Sequence, residues 1–199
     1  MKSSNTETIN MKIIFAILLS FLFLVGCSNH TKKVINTDWI EMEVKEKNCV
    51  ISFPFDYSKI HNEEYFVENI GKVLSYEVDL NTQNKDDLNL GYKLAIYEYP
   101  DFNFYESSEK IEEFLSGTAE NLLVALNASR IYEKKINFSG FPGKELYYSM
   151  DSQEAYFTTR MYVINGKQYS MTVITNKNNL VNKSITKFFE SFKLINNKP

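Results

Sequence analysis

The chain divides by its pattern of apolar and polar positions into one short continuous apolar run and a long remainder of alternating and helix-spaced segments. The run extends from Ile13 to Val25, 13 residues broken only by Ser20. At that length it is too short to cross a membrane as a helix. From Trp39 to Val44 apolar and charged residues alternate, and Cys49 to Phe53 follows a Lys-Glu-Lys-Asn turn, which predicts two short strands paired as a hairpin and ended by Pro54. Residues His61 to Ile70 predict a short helical turn with Phe66 and Ile70 as its buried points. Lys72 to Leu80 reads as a strand, Asn81 to Asn89 as a polar loop, and Leu90 to Tyr99 as a strand closed by Pro100.

The first clear helix starts at Ser107 or Ser108, either of which can cap it, with Glu109, Glu112 and Glu113 in the first turns where the helix dipole favours acids. Ile111, Phe114, Leu115, Leu122, Leu123 and Leu126 form one apolar stripe at helical spacing. Gly117 interrupts it at a cost of about 1 kcal/mol against Ala. Four strands follow, Ile131 to Phe138, Lys144 to Met150, Tyr156 to Ile164 and Gln168 to Thr175. Asn165-Gly166 between the last two selects a tight type I′ hairpin, because both turn residues need positive φ. A second helix, Asn179 to Phe192, places Leu180, Val181, Ile185, Phe188, Phe189 and Phe192 on one face. The fold class that results is α+β: an antiparallel sheet of six or seven strands packed with two main helices.

The apolar run has the positive start (Met11-Lys12) and short core of a secretory signal peptide, but ends in Leu24-Val25-Gly26-Cys27. That tetrapeptide resembles the lipobox of bacterial lipoproteins, which implies cleavage between Gly26 and Cys27 and lipid attachment, palmitate included, at Cys27. One acyl chain gives only marginal binding, and two or more give a stable anchor. The implied organisation is a signal peptide over 1–26, with either Met11 as its true start or residues 1–10 as an extended n-region, a tether over 27–38, one domain over 39–195, and a short tail over 196–199. Lys32 and Lys33 in the tether lie within reach of anionic headgroups, adding at most about 1 kcal/mol each, and otherwise read as solvated linker. Localisation follows: the cell envelope, on the extracytoplasmic side of a membrane, and the outer membrane where sorting follows Ser28.

The chain from Cys27 onward is 173 residues with a net charge of −4, enough for one proper core. A mildly acidic domain without a basic block argues against nucleic acid as a partner. With Cys27 lipidated, Cys49 has no partner within the chain and reads as a buried, inert thiol. Tyrosine and phenylalanine, 13 and 15 of them, favour strands and interfaces.

The order of later features carries a family resemblance. Gly140-Phe141-Pro142-Gly143-Lys144-Glu145, a hairpin bearing Arg160 and Tyr162 before Asn165-Gly166, Tyr169, and the ending Phe189-Glu190-Ser191-Phe192-Lys193-Leu194 are together similar to PsbP-like proteins of the Mog1/PsbP fold. Val50-Ile51-Ser52-Phe53-Pro54 resembles the first core strand of the same group. The resemblance implies an α/β/α sandwich and a binding or assembly module, with no shared catalytic motif to carry over.

Candidate chemistry is sparse. His30 and His61 lack the companions a structural zinc site needs. His61-Asn62-Glu63-Glu64 reads as a solvated turn, and Asp86-Asp87-Leu88-Asn89 lacks the glycine and terminal glutamate of a calcium loop. Gly140 to Lys144 lacks the phosphate-loop spacing and reads as a turn leading into a strand, and no Gly-x-Ser-x-Gly elbow is present. No cofactor or metal is expected. Arg160 is one of two arginines, with Arg130, and has two readings: a clamp for a carboxylate or phosphate, or a partner for an acid across the sheet. Arg160 and Tyr162 are therefore the candidate contacts for a ligand or partner. The leading expectation is a non-enzymatic, lipid-anchored envelope protein whose domain binds an envelope partner. The alternatives are a small-ligand carrier or sensor, with a closed apolar pocket between sheet and helix, and a cell-surface hydrolase.

Overall fold

A computed structural model describes residues 39–54, 59–68, 70–79, 89–100, 107–150 and 154–195. The elements in chain order are β1 (Ile40–Val44), β2 (Cys49–Phe53), β3 (His61–Val67), β4 (Gly71–Asp79), β5 (Asn89–Glu98), α1 (Ser108–Leu126), β6 (Ser129–Phe138), β7 (Phe141–Met150), β8 (Ala155–Ile164), β9 (Lys167–Asn176), α2 (Lys183–Glu190) and β10 (Lys193–Leu194). Seven strands form one antiparallel sheet in the order β3-β4-β5-β9-β8-β7-β6, and three form a small sheet in the order β1-β2-β10. The α+β class and the mostly antiparallel pairing agree with the sequence reading.

Local chemistry explains most boundaries. Asn48, at φ 54°, turns the chain from β1 into β2 after a 3-10 turn over Lys45–Lys47. The β8–β9 hairpin closes on Asn165 and Gly166 at φ 49° and 78°, the positive pair a type I′ turn requires. Helix α1 is capped by Ser107, whose side chain accepts from the Lys110 N–H, and it runs unbroken through Gly117. Pro142 pairs only with β6, since β7 meets β8 from Gly143 onward, so its missing N–H leaves no ladder position empty.

Three expectations are corrected. Residues His61–Val67 form the edge strand β3 and not a helical turn, and Phe66 is 77% exposed instead of buried. An edge strand paired on one side has little core to face, so its apolar spacing carried no helical meaning. The second helix is shorter than Asn179–Phe192: a 3-10 turn occupies Lys177–Asn179. Asn182 then caps α2 by accepting from the Ile185 N–H at 3.1 Å, which leaves Val181 outside the helix and 94% exposed. The turn at Gly140 is a two-residue turn with Ser139, and β7 already begins at Phe141. The loop expected over Asn81 to Asn89 lies outside the described residues except for Asn89, which opens β5.

The large sheet has a core on each face. On one, Leu115, Ala119 and Leu123 of α1 meet Leu146, Tyr148, Phe157, Met161 and Val163 of β7 and β8. On the other, Phe188, Phe189 and Phe192 together with Ile51 and Phe53 of the small sheet meet Tyr92, Leu94, Ile96, Tyr169 and Met171. Cys49 is fully buried in this second core, where burial pushes its thiol up to about 12.

Candidate partner-binding face

Alternation along β6, β7 and β8 puts Tyr132, Lys134, Glu145, Tyr147, Tyr156, Arg160 and Tyr162 on one face of the sheet, the face that α2 covers. Glu145 stands directly opposite both Lys134 and Arg160 in the register. Its carboxylate is buried and receives three donors: Lys134 Nζ at 2.7 Å, Arg160 Nε at 2.6 Å and the Tyr132 hydroxyl at 2.9 Å. Burial alone would raise the Glu145 carboxyl, but the hydrogen bonds from Lys134, Arg160 and Tyr132 and the Arg160 charge outweigh it and hold it low. Tyr132 moves the other way, pushed up to about 12 by burial and by its hydrogen bond to the carboxylate.

Of the two readings for Arg160, the structure places it opposite an acid across the sheet. Its guanidinium also lies over the Phe189 ring, 4.5 Å from the centroid, so α2 is seated on the ion cluster. Tyr162 is 5% exposed and packs against Phe138 at 5.5 Å between ring centroids, close enough over Gly143 that an added Cβ there would meet its ring at 2.3 Å. It belongs to the core and presents no contact surface. Gly26, Cys27 and His30 lie outside the described residues. His61, Glu63 and Glu64 are exposed along β3, and among the described residues no three His, Cys, Asp or Glu side chains group as metal ligands.

Beyond the reach of Phe189 the same face carries a row of tyrosines. Tyr132 and Tyr147 lie 5.4 Å apart, and Tyr147 and Tyr156 are stacked at 6.1 Å with planes 25° apart. Lys134 Nζ sits 5.8 Å over the Tyr132 ring, and Tyr132 is 44% exposed. The Tyr147 hydroxyl is buried without a hydrogen-bond partner, a group that costs about 1–3 kcal/mol to leave unpaired. Rings with apolar bodies and polar tips beside a fixed ion cluster make a surface suited to protein contact. Sequence reasoning missed Glu145, Lys134 and the three tyrosines. The available signal was the period-two spacing of Glu145 and Tyr147, but nothing local set the β7–β8 register that brings Arg160 to them.

A concavity of about 430 Å³ lies on the outer side of α2, lined by Lys183, Thr186, Lys187, Glu190, Ser191 and Lys193. It is an open surface concavity on α2, not a closed pocket between sheet and helix.

No family model and no curated protein sequence matches the chain. Among solved structures it is similar to the cyanobacterial PsbP protein of Synechocystis sp. PCC 6803, with a TM-score of 0.54 at 11% identity, covering 83% of this chain and 98% of that one. A protein of unknown function from Pseudomonas aeruginosa aligns at a TM-score of 0.38 and 10% identity, over 71% of this chain and 85% of that one, too weak a likeness to argue from. The chain therefore has a PsbP-like fold, and the likeness concerns fold alone.

Proposed function

We propose that this chain is a lipid-anchored protein of a bacterial cell envelope whose single α+β domain, residues 39–195, binds another envelope protein without catalysing a reaction. Leu24-Val25-Gly26-Cys27 supports the anchor: the signal peptide ends at Gly26, lipid attaches at Cys27, and a tether carries the chain to Trp39. The PsbP-like fold supports a binding or assembly module of the Mog1/PsbP kind, with helices on both sides of the large sheet. The observation that carries the binding role is the row Tyr132, Tyr147 and Tyr156 beside the Glu145 ion cluster.

The test places a photo-crosslinking residue at Tyr132 in cells and, as a control on the opposite face, at Val124 of α1, which is 65% exposed. One envelope protein captured from Tyr132, absent from Val124 and lost in Tyr156→Ala, is the expected result. Equal capture from both positions, or none from either, overturns the binding face. Metabolic labelling with palmitate, lost in Cys27→Ala, tests the anchor separately.

A further inference from the structure

The described part of the domain begins, at Trp39, beside the α2 groove. The Lys187 ammonium lies 4.7 Å over the ring of Trp39, the first described residue after the tether, and Lys193 reaches Glu41 of β1 at 3.5 Å. Lys183, Lys187 and Lys193 line one concavity with the Thr186 and Ser191 side chains, and Glu190 is the acid among them. All three lysines are exposed, on a chain whose net charge is negative. Trp39 is only half-buried, one edge packed on Tyr92 at 5.7 Å between centroids. A tryptophan under one lysine, Lys187, with other long-stemmed lysines along the same groove, brings together residue types that settle at a membrane–water interface.

We propose that this lysine-lined groove is the face the domain lays against anionic lipid headgroups. Two observations choose a lipid surface as the occupant. The charges are complementary, with three ammoniums and the Thr186 hydroxyl, against the carboxylates of Glu190 and of Glu41 beside Lys193, suited to phosphate oxygens. The described chain also begins beside the groove, at Trp39, so the residues that lead back to Cys27 join the domain on this side. The proposal rests on the lipid anchor read above. Docked this way, the domain holds a fixed orientation on the membrane.

Trp39 is the chain's one tryptophan, and it reports on the contact directly. The lipidated full chain, purified from membranes, is reconstituted into vesicles of phosphatidylcholine alone or with added phosphatidylglycerol, each carrying a headgroup-spin-labelled lipid. The expected result is stronger quenching and a blue shift of Trp39 when phosphatidylglycerol is present. High salt reverses both, because the Debye length shrinks from about 8 Å at physiological ionic strength to about 3 Å at 1 M. Lys183→Gln/Lys193→Gln, which keeps Lys187 over Trp39, weakens the phosphatidylglycerol dependence about fivefold per lysine. Identical Trp39 signals in both vesicle types, or a variant that behaves as wild type, overturn the proposal while leaving the anchor standing. A response reproduced by inorganic phosphate without phosphatidylglycerol also overturns it, in favour of a free-anion site. A chain that fails to float with either vesicle overturns the anchor and this proposal together.

Discussion

The two faces of the large sheet are closed by different means. The α1 face is covered by one long helix whose aliphatic stripe, Leu115, Ala119 and Leu123, recurs every four residues within one segment. Charges fasten the helix to the sheet at its rim: Glu120 to Arg130, Glu112 to Lys135, and Ser116 to Lys144, which also holds Glu133. The opposite face is closed by the two ends of the domain. Phe53 from its start and Phe188 from its end meet over Tyr92, and Asn89 hydrogen-bonds Asn182 across 93 residues of chain. The first face is held by local amphipathicity, the second by ring packing between segments distant in sequence. Distant contacts return less per residue until all are made, so the second face is where a single truncation removes most.

Phe188→Ala is the sharpest way to break that face. Phe188 is fully buried and tilts against Phe53, Tyr92 and Phe189 at 5.5, 5.1 and 5.7 Å. Truncation is expected to cost about 3–5 kcal/mol, and Leu115→Ala on the other face less, toward the lower half of about 2–5 kcal/mol. Urea midpoints of the two variants check the order. Equal losses would mean that α1 secures the sheet as firmly as the aromatic closure does.

The ion cluster beneath Phe189 is the next largest contribution. The Glu145 carboxyl is held below its ordinary value of 4.5, so its stabilisation is fully present above that pH. It is lost as pH falls through the depressed folded-state value. Glu145→Gln is expected to cost about 1.5–3 kcal/mol near neutrality, the range for hydrogen bonds to a charged group. The gap from wild type should close in acid. Glu98, lowered chiefly by its hydrogen bond from Lys47, titrates in the same window in both proteins, so the difference between them is the informative quantity. A gap that persists unchanged at low pH would show that the side chain acts by packing alone.

How much of this was legible in the sequence follows the same division. The α1 stripe, its Ser107 cap and the Asn165-Gly166 hairpin were readable because each is decided by residues a few positions apart. Four strand positions after α1 were readable for the same reason. The β3 edge strand was not, since His61 to Val67 lacks the buried alternation of an inner strand. The extent of α2 was missed because Leu180 and Val181 fit the helical period, while Asn182, an N-cap type, stopped the helix short of them. In the candidate site Arg160 was visible as a rare residue in an aromatic strand. Its partner Glu145 was hidden, because a cross-strand pair depends on register, and Asp151-Ser152-Gln153-Glu154 carries no turn signal like the Asn165-Gly166 that fixes β8 against β9.

A smaller change strengthens the α1 face without touching the sheet. Gly117 lies on the exposed side of α1, and a Cβ added there meets nothing within 4 Å. Gly117→Ala is expected to stabilise by about 0.5–1 kcal/mol, mostly by reducing the freedom of the unfolded chain. The thermal midpoint of this variant checks it. Leu115→Ala combined with Gly117→Ala would then recover part of its deficit, which Phe188→Ala would not recover to any greater extent if the faces act independently.

The smallest effect belongs to the rim charges, and it separates fastening from fitting. Lys135 and Glu112 pair across the α1–β6 boundary, but their side chains are 73% and 46% exposed. Water screens such a pair, and ordering two long side chains offsets most of its attraction, so a coupling energy of about 0.2–0.5 kcal/mol is expected. A double-mutant cycle with Glu112→Gln and Lys135→Gln, run at low and high salt, measures it. A small coupling that vanishes at high salt means the helix is placed by its aliphatic stripe and only trimmed by charge. A coupling above about 1 kcal/mol would reverse that order. The rim would then fix the docking of α1, and the contrast between a locally packed face and an aromatic one would have to be redrawn as charge against rings.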